Sequence, residues 1–252
     1  MLNRFSRTEI LFGNDNMEKL KNSRVAVFGA GGVGGYVIEA LVRSGVGTIE
    51  VFDDDTVSLT NLNRQIIAVT DTIGADKTET VKLRALSINP ELNIITHKCF
   101  YMPDNADAFD LREYDYVVDA IDTVTAKIEL AVRAQTVGVP IISSMGTGNK
   151  IEATMLEGAD IYETTVCPLA RVMRRELKKR GIKGLKVVYS KEKPMTPSVN
   201  DELSGEKTGA VRSGKPKKSI PGSTAFVPAA AGLIIAGEVV KDITGIKGEI
   251  GA

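Results

Sequence analysis

The chain has 252 residues with 32 basic and 32 acidic side chains, so its formal net charge is zero and global charge neither favours nor excludes a polyanionic partner. Its two cysteines, Cys99 and Cys167, exclude a disulfide framework of the secreted type and a zinc site of four closely spaced thiolates. The opening MLNRFSRTEI lacks the apolar core of a signal peptide, and we expect a cytoplasmic protein.

The first predicted element is a strand that runs directly into a glycine-rich turn. RVAVFG, from Arg24 to Gly29, is apolar and of strand length, and the turn GAGGVG continues to Gly34. A helix with apolar residues at helical spacing begins near Gly32. Strand, glycine turn and helix in this order are typical of a phosphate-binding turn, although glycines also serve plain turns.

Strands and helices then alternate through the first half of the chain. Further strands are predicted over residues 48–53, 93–98, 114–120 and 139–144, with helices over 75–87 and 126–136. Parallel strands need crossover connections, so this alternation predicts helices on both faces of a mainly parallel sheet. The expected fold is α/β and Rossmann-like.

The second half of the chain is less regular. We expect two short strands over 150–158 and 159–163, a basic helix over 167–180 and a strand over 186–190. Residues 191–222 are rich in Lys, Pro, Ser and Gly, which predicts a mobile loop. The apolar run 225–240 is shorter than the roughly 20 residues that cross a bilayer. We therefore expect a buried C-terminal helix and no membrane span.

The glycine turn and an acid after the next strand form a candidate nucleotide site. Glycine permits the tight bend at Gly29, the approach of phosphate at Gly31, and packing of helix against strand at Gly34. Asp53 ends the second strand about 20 residues further on, where a carboxylate accepts hydrogen bonds from ribose hydroxyls. The candidate cofactor-binding residues of this part are Gly29, Gly31, Gly32, Gly34 and Asp53.

Cations and amides follow the ribose acid closely. The stretch DDDTVSLTNLNRQ, from Asp53 to Gln65, includes Asn61 and Arg64, and Lys77 comes soon after it. A nicotinamide site needs little beyond the turn and the acid, whereas reaction at the α-phosphate of ATP accumulates negative charge that arginine and lysine neutralise. Taken together, these residues favour ATP as the nucleotide, although each of them alone is typical of a protein surface.

Asp122, in VVDAIDTVTAK, lies just beyond the end of a predicted strand, where open α/β sheets bind their ligands. It is a candidate ligand of magnesium, which prefers oxygen ligands. It is also a candidate N-cap of the following helix, and the two roles are compatible. Asp119 still lies within the strand, and we expect it to be structural.

Together these motifs resemble the ubiquitin-activating-enzyme superfamily, whose bacterial members adenylate a carboxylate. The likeness covers roughly residues 4 to 165 and includes Lys77 in GADKTETVKLRALSINP. It implies a homodimer that uses ATP and magnesium, with one adenylating domain over residues 1–252. By the resemblance, Asp53 and Asp55 lie near ribose or metal, and Asp122 serves the metal. The implied phosphate-binding residues are Asn61, Arg64, Gln65 and Lys77.

The opening RFSRTEILFG is similar to that of the family, in which an arginine crosses the dimer interface into the neighbouring ATP site. Arg7 matches this position. Without the resemblance, Arg7 would be interpreted as an exposed N-terminal arginine. The catalytic residues that the resemblance implies are therefore Arg7, Arg64, Lys77 and Asp122.

The second half resembles one branch of this superfamily, the dehydratases of threonylcarbamoyladenosine in tRNA. CPLARVMRRELKKRGIKGLKVVYSKEKP and PGSTAFVPAAAGLIIAGEVV carry the likeness. It implies adenylation of the threonyl carboxylate and ring closure by the nearby carbamoyl group. The alternative is adenylation of the C-terminal glycine of a sulfur-carrier protein, but those enzymes usually hold zinc with two CxxC pairs, which this sequence lacks.

Two more distant hypotheses are a nicotinamide-dependent oxidoreductase and a noncatalytic tRNA-binding module that senses nucleotides. The sequence does not decide whether a monovalent cation supports the site. It also does not decide whether a sulfur or redox relay protein is a partner.

Basic side chains are concentrated between Arg171 and Lys186, where eight of them accompany one acid, Glu176. Lysines over 215–218 add a second group. This concentration predicts contact with tRNA phosphates, although a basic helix is often only a solvated face. The candidate tRNA-binding residues are Arg171, Arg174, Arg175, Lys178 and Lys179.

Cys167 precedes Pro168 at a predicted helix start. A thiol there is either a transferring nucleophile or a small packing residue. Because the resemblance implies a nucleophile already on the substrate, packing is the preferred interpretation. His97 is the only histidine and lies at a strand end without an evident partner, so we expect a structural role for it.

Overall fold

The structure is a computed structural model that describes residues 2–198 and 221–246. Its strands are β1 (Arg24–Phe28), β2 (Thr48–Phe52), β3 (Asn93–His97), β4 (Tyr116–Asp119), β5 (Ile141–Ser144), β6 (Leu156–Asp160) and β7 (Lys186–Ser190). Its α-helices are α1 (Ser6–Phe12), α2 (Asn14–Asn22), α3 (Gly34–Ser44), α4 (Lys77–Ile88), α5 (Val124–Val137), α6 (Pro168–Lys179) and α7 (Phe226–Thr244). The predicted mobile loop over 191–222 lies largely outside the described residues.

The seven strands form one sheet in the order β3-β2-β1-β4-β5-β7-β6. All neighbouring strands are parallel except β6 and β7, which are antiparallel. The chain winds outward from β1 to β3 and then places β4 on the other side of β1, so the strand order reverses between β1 and β4. Open α/β sheets bind ligands at such a reversal. The prediction of a Rossmann-like sheet with extra strands and a C-terminal helix is confirmed.

The central strand β1 is buried on both faces. Val25 and Val27 pack in one core with α3, α4 and α7. Ala26 and Phe28 pack on the other face with α5. Double burial explains why this strand is a continuous apolar run rather than an alternating one. It also makes the carboxyl end of β1 a fixed base for the glycine turn that follows.

The prediction of two strands between residues 150 and 163 is wrong, because only β6 forms there. The chain before β6 leaves the sheet, since the Glu192 carboxylate accepts a hydrogen bond from the backbone N–H of Ile151 at 3.1 Å. The chain after β6 bends into a short 3-10 turn, because Asp160 accepts a hydrogen bond from the backbone N–H of Tyr162 at 2.8 Å. Side-chain acceptors replace the sheet partners at both ends.

The two ends of the described chain are helical. Helices α1 and α2 are not evident from the sequence because they are short and mostly polar; α2 buries Leu20 and α1 buries no residue. Helix α1 instead exposes Ile10 and Leu11, at 82% and 79%. Helix α7 extends past the predicted 225–240 to Thr244. No helix in the part of the chain that is described has the length and apolar composition needed to cross a membrane.

Candidate active site

A cleft of about 670 Å³ opens beyond the carboxyl ends of β1, β2, β4 and β5. It is lined by the glycine turn, the stretch that ends at Gln65, and the turns after β4 and β5. Residues 221–223 and Pro228 complete the lining. The cleft therefore lies at the reversal of strand order, and its volume is in the range of small-molecule sites.

Two glycines of the turn are required by backbone geometry. Gly29 has a φ of +95°, and a Cβ added there would meet the carbonyl oxygen of Ala120 at 2.7 Å. A Cβ on Gly34 would lie 1.7 Å from the Gly29 carbonyl oxygen. Gly31 and Gly32 line the cleft, whereas Gly34 does not line it and instead lets α3 begin directly behind the turn. The start of α3, which no side chain caps, can thus bind an anion.

Asp53 is held in one orientation just after β2. Its carboxylate accepts hydrogen bonds from the backbone N–H groups of Ala30 at 2.7 Å and Asp55 at 2.9 Å. Burial raises the pKa of Asp53 above its ordinary value, and the Lys77 ammonium, 3.9 Å away, opposes this shift. Since Asp53 lines the cleft, its carboxylate is placed for ribose hydroxyls.

Lys77 begins α4 and lies beside two carboxylates. Its Nζ is 2.8 Å from Oδ2 of Asp55, and the residue is only 5% exposed. The Asp55 side chain is 42% exposed, so this carboxylate can turn toward solvent and release the ammonium to a phosphate. Lys77 is therefore a buried cation whose present partner is exchangeable.

Arg64 is a cation with no acidic partner among residues 2–198 and 221–246. Its Nη1 donates to the carbonyl oxygen of Thr60 and to Oδ1 of Asn63, both at 2.9 Å. Burial lowers the pKa of Arg64, with no carboxylate to compensate for the water that the guanidinium loses. An anion in the cleft would supply this compensation, and a triphosphate is such an anion.

The two amides of the same stretch differ in their contacts. Asn61 Oδ1 accepts a hydrogen bond from the backbone N–H of Ser58 at 3.1 Å, so it fixes the local turn while it also lines the cleft. Gln65 is 6% exposed, and its Oε1 has no hydrogen-bond partner in the described part of the protein. A buried acceptor without a donor is unfavourable, so Gln65 is placed to bind a ligand.

Asp122 lies exposed on the turn after β4, and a buried ion pair supports this turn. Lys127 Nζ donates to Asp119 Oδ1 at 3.0 Å and to the Ile121 carbonyl oxygen at 2.9 Å. Ser143 donates to the other carboxylate oxygen of Asp119. Asp119 is therefore structural, as expected. Sequence analysis missed Lys127, because only the folded turn brings its ammonium to the Ile121 carbonyl.

The N-cap of α5 is Thr123, so the alternative interpretation of Asp122 as that cap is wrong. No group of three or more His, Cys, Asp or Glu side chains among the described residues could hold a metal by itself. Magnesium, however, is commonly bound by one or two carboxylates together with phosphates and waters. Asp122 fits a magnesium ion that binds with a triphosphate.

Arg7 is not brought together with the other predicted catalytic residues. It lies exposed on α1 and does not line the cleft of its own chain. Arg64, Lys77 and Asp122 all line that cleft. Any contact of Arg7 with a cleft therefore needs a second copy of the chain or a large movement of α1.

Helix α6 carries the predicted tRNA-binding residues in two groups. Three of the five are paired within the protein, namely Arg174 with Thr164, and Arg175 and Lys179 with Glu176. Arg171 and Lys178 are exposed and make no ion pair with any described residue. Both lie outside the cleft lining.

Two residues considered for chemistry are packed instead. Cys167 is 1% exposed and joins the core between α5 and α6, which favours the packing interpretation. His97 Nε2 lies 2.9 Å from Glu50 Oε2, and its ring stacks on Phe52 at 4.4 Å. His97 therefore has a partner that the sequence did not reveal, and its role is structural.

Lys150 is a further buried cation that sequence analysis missed. It is 2% exposed, and its Nζ donates to the Gly146 carbonyl oxygen at 2.7 Å. Burial lowers the pKa of Lys150. Since Gly146 lines the cleft, Lys150 supports the turn after β5.

The fold and the cleft define a nucleotide-binding α/β protein with a site for negative charge. Its family follows from comparison with known proteins: the model of the ThiF family matches residues 5–251, and the chain belongs to this family. It is 43% identical over 244 residues to the tRNA threonylcarbamoyladenosine dehydratase of Bacillus subtilis, covering 96% of this chain and 95% of that protein.

Two further known proteins are similar to this chain. The crystal structure of E. coli tRNA N6-threonylcarbamoyladenosine dehydratase, TcdA, in complex with ATP matches with a TM-score of 0.83 and 30% identity, covering 96% of this chain and 94% of that chain. The adenylyltransferase and sulfurtransferase uba4 of Ogataea parapolymorpha is 38% identical over 144 residues, which cover 57% of this chain but 36% of that protein.

Proposed function

We propose that this protein uses ATP to adenylate the threonyl carboxylate of threonylcarbamoyladenosine in tRNA and so allows intramolecular cyclisation. The observation that carries the proposal is Arg64, a cleft guanidinium without an acidic partner among the described residues. A match along 95% of the Bacillus subtilis dehydratase favours this substrate over a sulfur-carrier protein. The protein acts as a single adenylating domain over residues 1–252, in the cytoplasm.

The reaction consists of two displacements. A carboxylate oxygen of the substrate forms a bond to the α-phosphorus of ATP while the bond to the bridging oxygen breaks, and pyrophosphate leaves. The carbamoyl group then attacks the acyl carbon and loses a proton, AMP leaves, and the ring closes with net loss of water. Because the nucleophile belongs to the substrate, no enzyme thiol is needed, which agrees with the burial of Cys167.

The predicted site residues that line the cleft each have a role in the first displacement. Arg64 and Lys77 neutralise charge that develops on the phosphoryl oxygens. Asp53 orients the ribose, since its carboxylate is already fixed by backbone N–H groups. Asn61 and Gln65 donate from their amide NH2 groups and, with the glycine turn, hold the phosphates in line with the incoming carboxylate. Gln65 Oε1, which has no donor among the described residues, is free to accept from a hydroxyl or amino group of the nucleotide.

Magnesium would be held by Asp122 together with phosphate oxygens. Bound there, the ion neutralises part of the triphosphate charge. Asp122 is suited to this because it is exposed to the cleft while its supporting turn is fixed by the Lys127 ammonium. A monovalent cation and a sulfur or redox relay protein stay predictions from the sequence.

A homodimer would complete the site. Helix α1 exposes Ile10 and Leu11 at 82% and 79%, and exposed apolar patches mark protein interfaces. Arg7 lies on the same helix and does not line its own cleft. In the dimer, Arg7 would reach the cleft of the neighbouring copy and add positive charge to the phosphates.

Helix α6 would bind the tRNA backbone. Arg171 and Lys178 present their charge to solvent, and such charges bind phosphates without sequence preference. Arg175 and Lys179 share a single acid, Glu176, so their group keeps a positive charge. The cationic face therefore supports the binding of a polyanion, with the cleft left for the modified nucleoside.

Pyrophosphate exchange into ATP tests the substrate. The purified protein should catalyse exchange in the presence of tRNA that carries threonylcarbamoyladenosine. The same tRNA without the modification is the matched control and should support none. Exchange that requires a small protein ending in Gly-Gly would overturn the proposal in favour of the sulfur-carrier alternative, and binding of a nicotinamide cofactor in place of ATP would overturn both.

A further inference from the structure

Residues 221–223, here called the strap, connect the two sides of the cleft. On one side the strap is bound by Asn149, in the turn after β5. The backbone N–H of Asn149 donates to the Gly222 carbonyl oxygen at 2.8 Å, and its Oδ1 accepts from the Gly222 N–H at 2.7 Å. Asn149 has a φ of +59°, a left-handed conformation that asparagine tolerates better than most residues. This two-bond contact fixes the position of the strap.

On its other side the strap is bound by Asn63, the neighbour of Arg64. Asn63 Nδ2 donates to the Ser223 carbonyl oxygen at 3.0 Å, and Asn63 Oδ1 accepts from Arg64 Nη1 at 2.9 Å. One amide therefore joins the strap to the Arg64 guanidinium, which has no acidic partner among the described residues. A shift of the strap would displace the acceptor that orients Arg64.

The strap also packs tightly against the turn after β5. A Cβ added to Gly148 would lie 3.0 Å from Pro221 Cβ, which is tighter than most real Cβ contacts, so Pro221 would have to shift slightly. Gly148 and the strap both line the cleft. A movement of this turn would therefore move the strap, because the two are joined by van der Waals contact as well as by hydrogen bonds.

The turn after β5 lies at the end of the cleft opposite the ribose acid. Asp53 follows β2, and β5 is three strands further along the sheet, in the order β2-β1-β4-β5. At roughly 4.8 Å per strand this separation is about 14 Å. The strap therefore connects Arg64 to a turn that lies far from the ribose acid in the same cleft.

We propose that the strap couples the turn after β5 to Arg64, with Asn149 and Asn63 as positioning residues. Its use in adenylation rests on the proposed function; the coupling itself does not. When the turn after β5 is in place, the strap and Asn63 hold the guanidinium toward the phosphates. When the turn is displaced, Arg64 loses its orientation.

ATP affinity measured by calorimetry tests the coupling without any tRNA. Asn149→Gly removes the Oδ1 acceptor while it suits the positive φ of the position. We expect it to weaken ATP binding on the order of tenfold when Arg64 is present. In an Arg64→Ala background the same substitution should change the affinity little, because the group it positions is gone. Equal effects in the two backgrounds, or no effect with Arg64 present, would overturn the proposal.

A comparison of two glycine-to-alanine variants provides an independent check. Gly148→Ala should displace Pro221 and weaken ATP binding as Asn149→Gly does, again only when Arg64 is present. Gly158→Ala is the matched control, since its Cβ would meet no atom closer than 4.0 Å. Thermal unfolding verifies that each variant is folded. A wild-type protein that binds no ATP would contradict the proposed function, whereas a wild-type protein that binds ATP with Gly148→Ala unchanged would contradict only the strap.

Discussion

At the scale of single residues, charge compensation separates the supporting groups from the candidate functional ones. Lys127 is fully buried and pairs with Asp119, so its charge is satisfied within the protein. Arg64 has only neutral acceptors in the described chain. Buried charge without an opposite charge is unfavourable, and active sites are where proteins retain it.

Arg64→Ala should reduce turnover severely while leaving the fold intact. The guanidinium is only partly buried and makes no ion pair with a described residue, so its loss breaks no salt bridge of the fold. Removal of one donor directed at developing charge commonly lowers kcat about 10²- to 10³-fold. AMP release with modified tRNA, beside circular dichroism of the same sample, measures both effects. Near-normal AMP release would remove Arg64 from the mechanism.

Lys150→Met replaces a buried ammonium with an apolar chain of similar length and removes the donor to the Gly146 carbonyl oxygen. The difference in unfolding free energy, variant minus wild type, should therefore be larger at pH 7 than at pH 10. The pKa of Lys150 is lowered in the folded protein. Its protonated form therefore destabilises the fold below the folded pKa, and this effect disappears as pH rises to the ordinary lysine pKa of about 10.4. Urea unfolding at pH 7 and pH 10 should show this difference falling as pH rises; a difference that grows would contradict the assignment.

At the scale of elements, two of the turns that line the cleft are each fixed by a buried lysine. The turn after β4 depends on Lys127, which binds the Ile121 carbonyl oxygen. The turn after β5 depends on Lys150, which binds that of Gly146. Main-chain carbonyls held by ammonium groups leave the side chains on these turns oriented before any ligand binds. Such preorganisation reduces the reorganisation needed during reaction.

Substitutions in the Lys127 pair should separate stability from catalysis. Lys127→Met alone leaves the buried Asp119 carboxylate unpaired and should destabilise the protein by about 3–5 kcal/mol. Asp119→Leu combined with Lys127→Met removes both charges and should recover much of that loss, as seen by urea unfolding. The double variant should still release AMP slowly, because the Ile121 carbonyl has lost its donor. A stable double variant with wild-type turnover would show that the turn needs no such support.

At the scale of the whole molecule, the sequence predicted those features of the fold and site that depend on short stretches of chain. The glycine turn, Asp53 and the parallel sheet were predictable because each depends on spacing within a short stretch. The contacts of Lys127 and Lys150 were not, since only the folded turns bring their ammonium groups to the carbonyls of Ile121 and Gly146. The contacts of Arg64 could not be predicted either, because the lack of an acidic partner among the described residues is a property of the assembled cleft.

The missed elements have similar causes. Helix α1 has no fully buried residue and packs Phe12 against the core, so it lacks the apolar stripe that would mark it in the sequence. Between residues 150 and 163, apolar and polar residues suggested two strands, but Glu192 and Asp160 bind the backbone on either side of β6. In the second case, a contact with Glu192, which is distant in sequence, overrides the local pattern.

Mixing two inactive variants should restore activity if the protein is a dimer with shared sites. In a mixed dimer of Arg7→Ala and Arg64→Ala copies, one cleft keeps its own Arg64 and receives an intact Arg7 from its neighbour. Random exchange of subunits should recover about a quarter of the wild-type turnover, because half of the dimers are mixed and each has one intact site. AMP release after co-refolding measures this, with each variant alone as control. If mixing restores nothing, Arg7 does not act across the interface.

The Arg64 guanidinium, which has no acidic partner among the described residues, also links nucleotide binding to the stability of the protein. Only the native state has this cleft, so nucleotide binding should stabilise the native state. A nucleotide concentration of 100 times the dissociation constant should add about 2.7 kcal/mol to the free energy of unfolding. Preparations stripped of nucleotide should melt earlier and be digested sooner by proteases. In an energy-starved cell, the same thermodynamics would shorten the lifetime of the protein before any loss of its catalytic capacity.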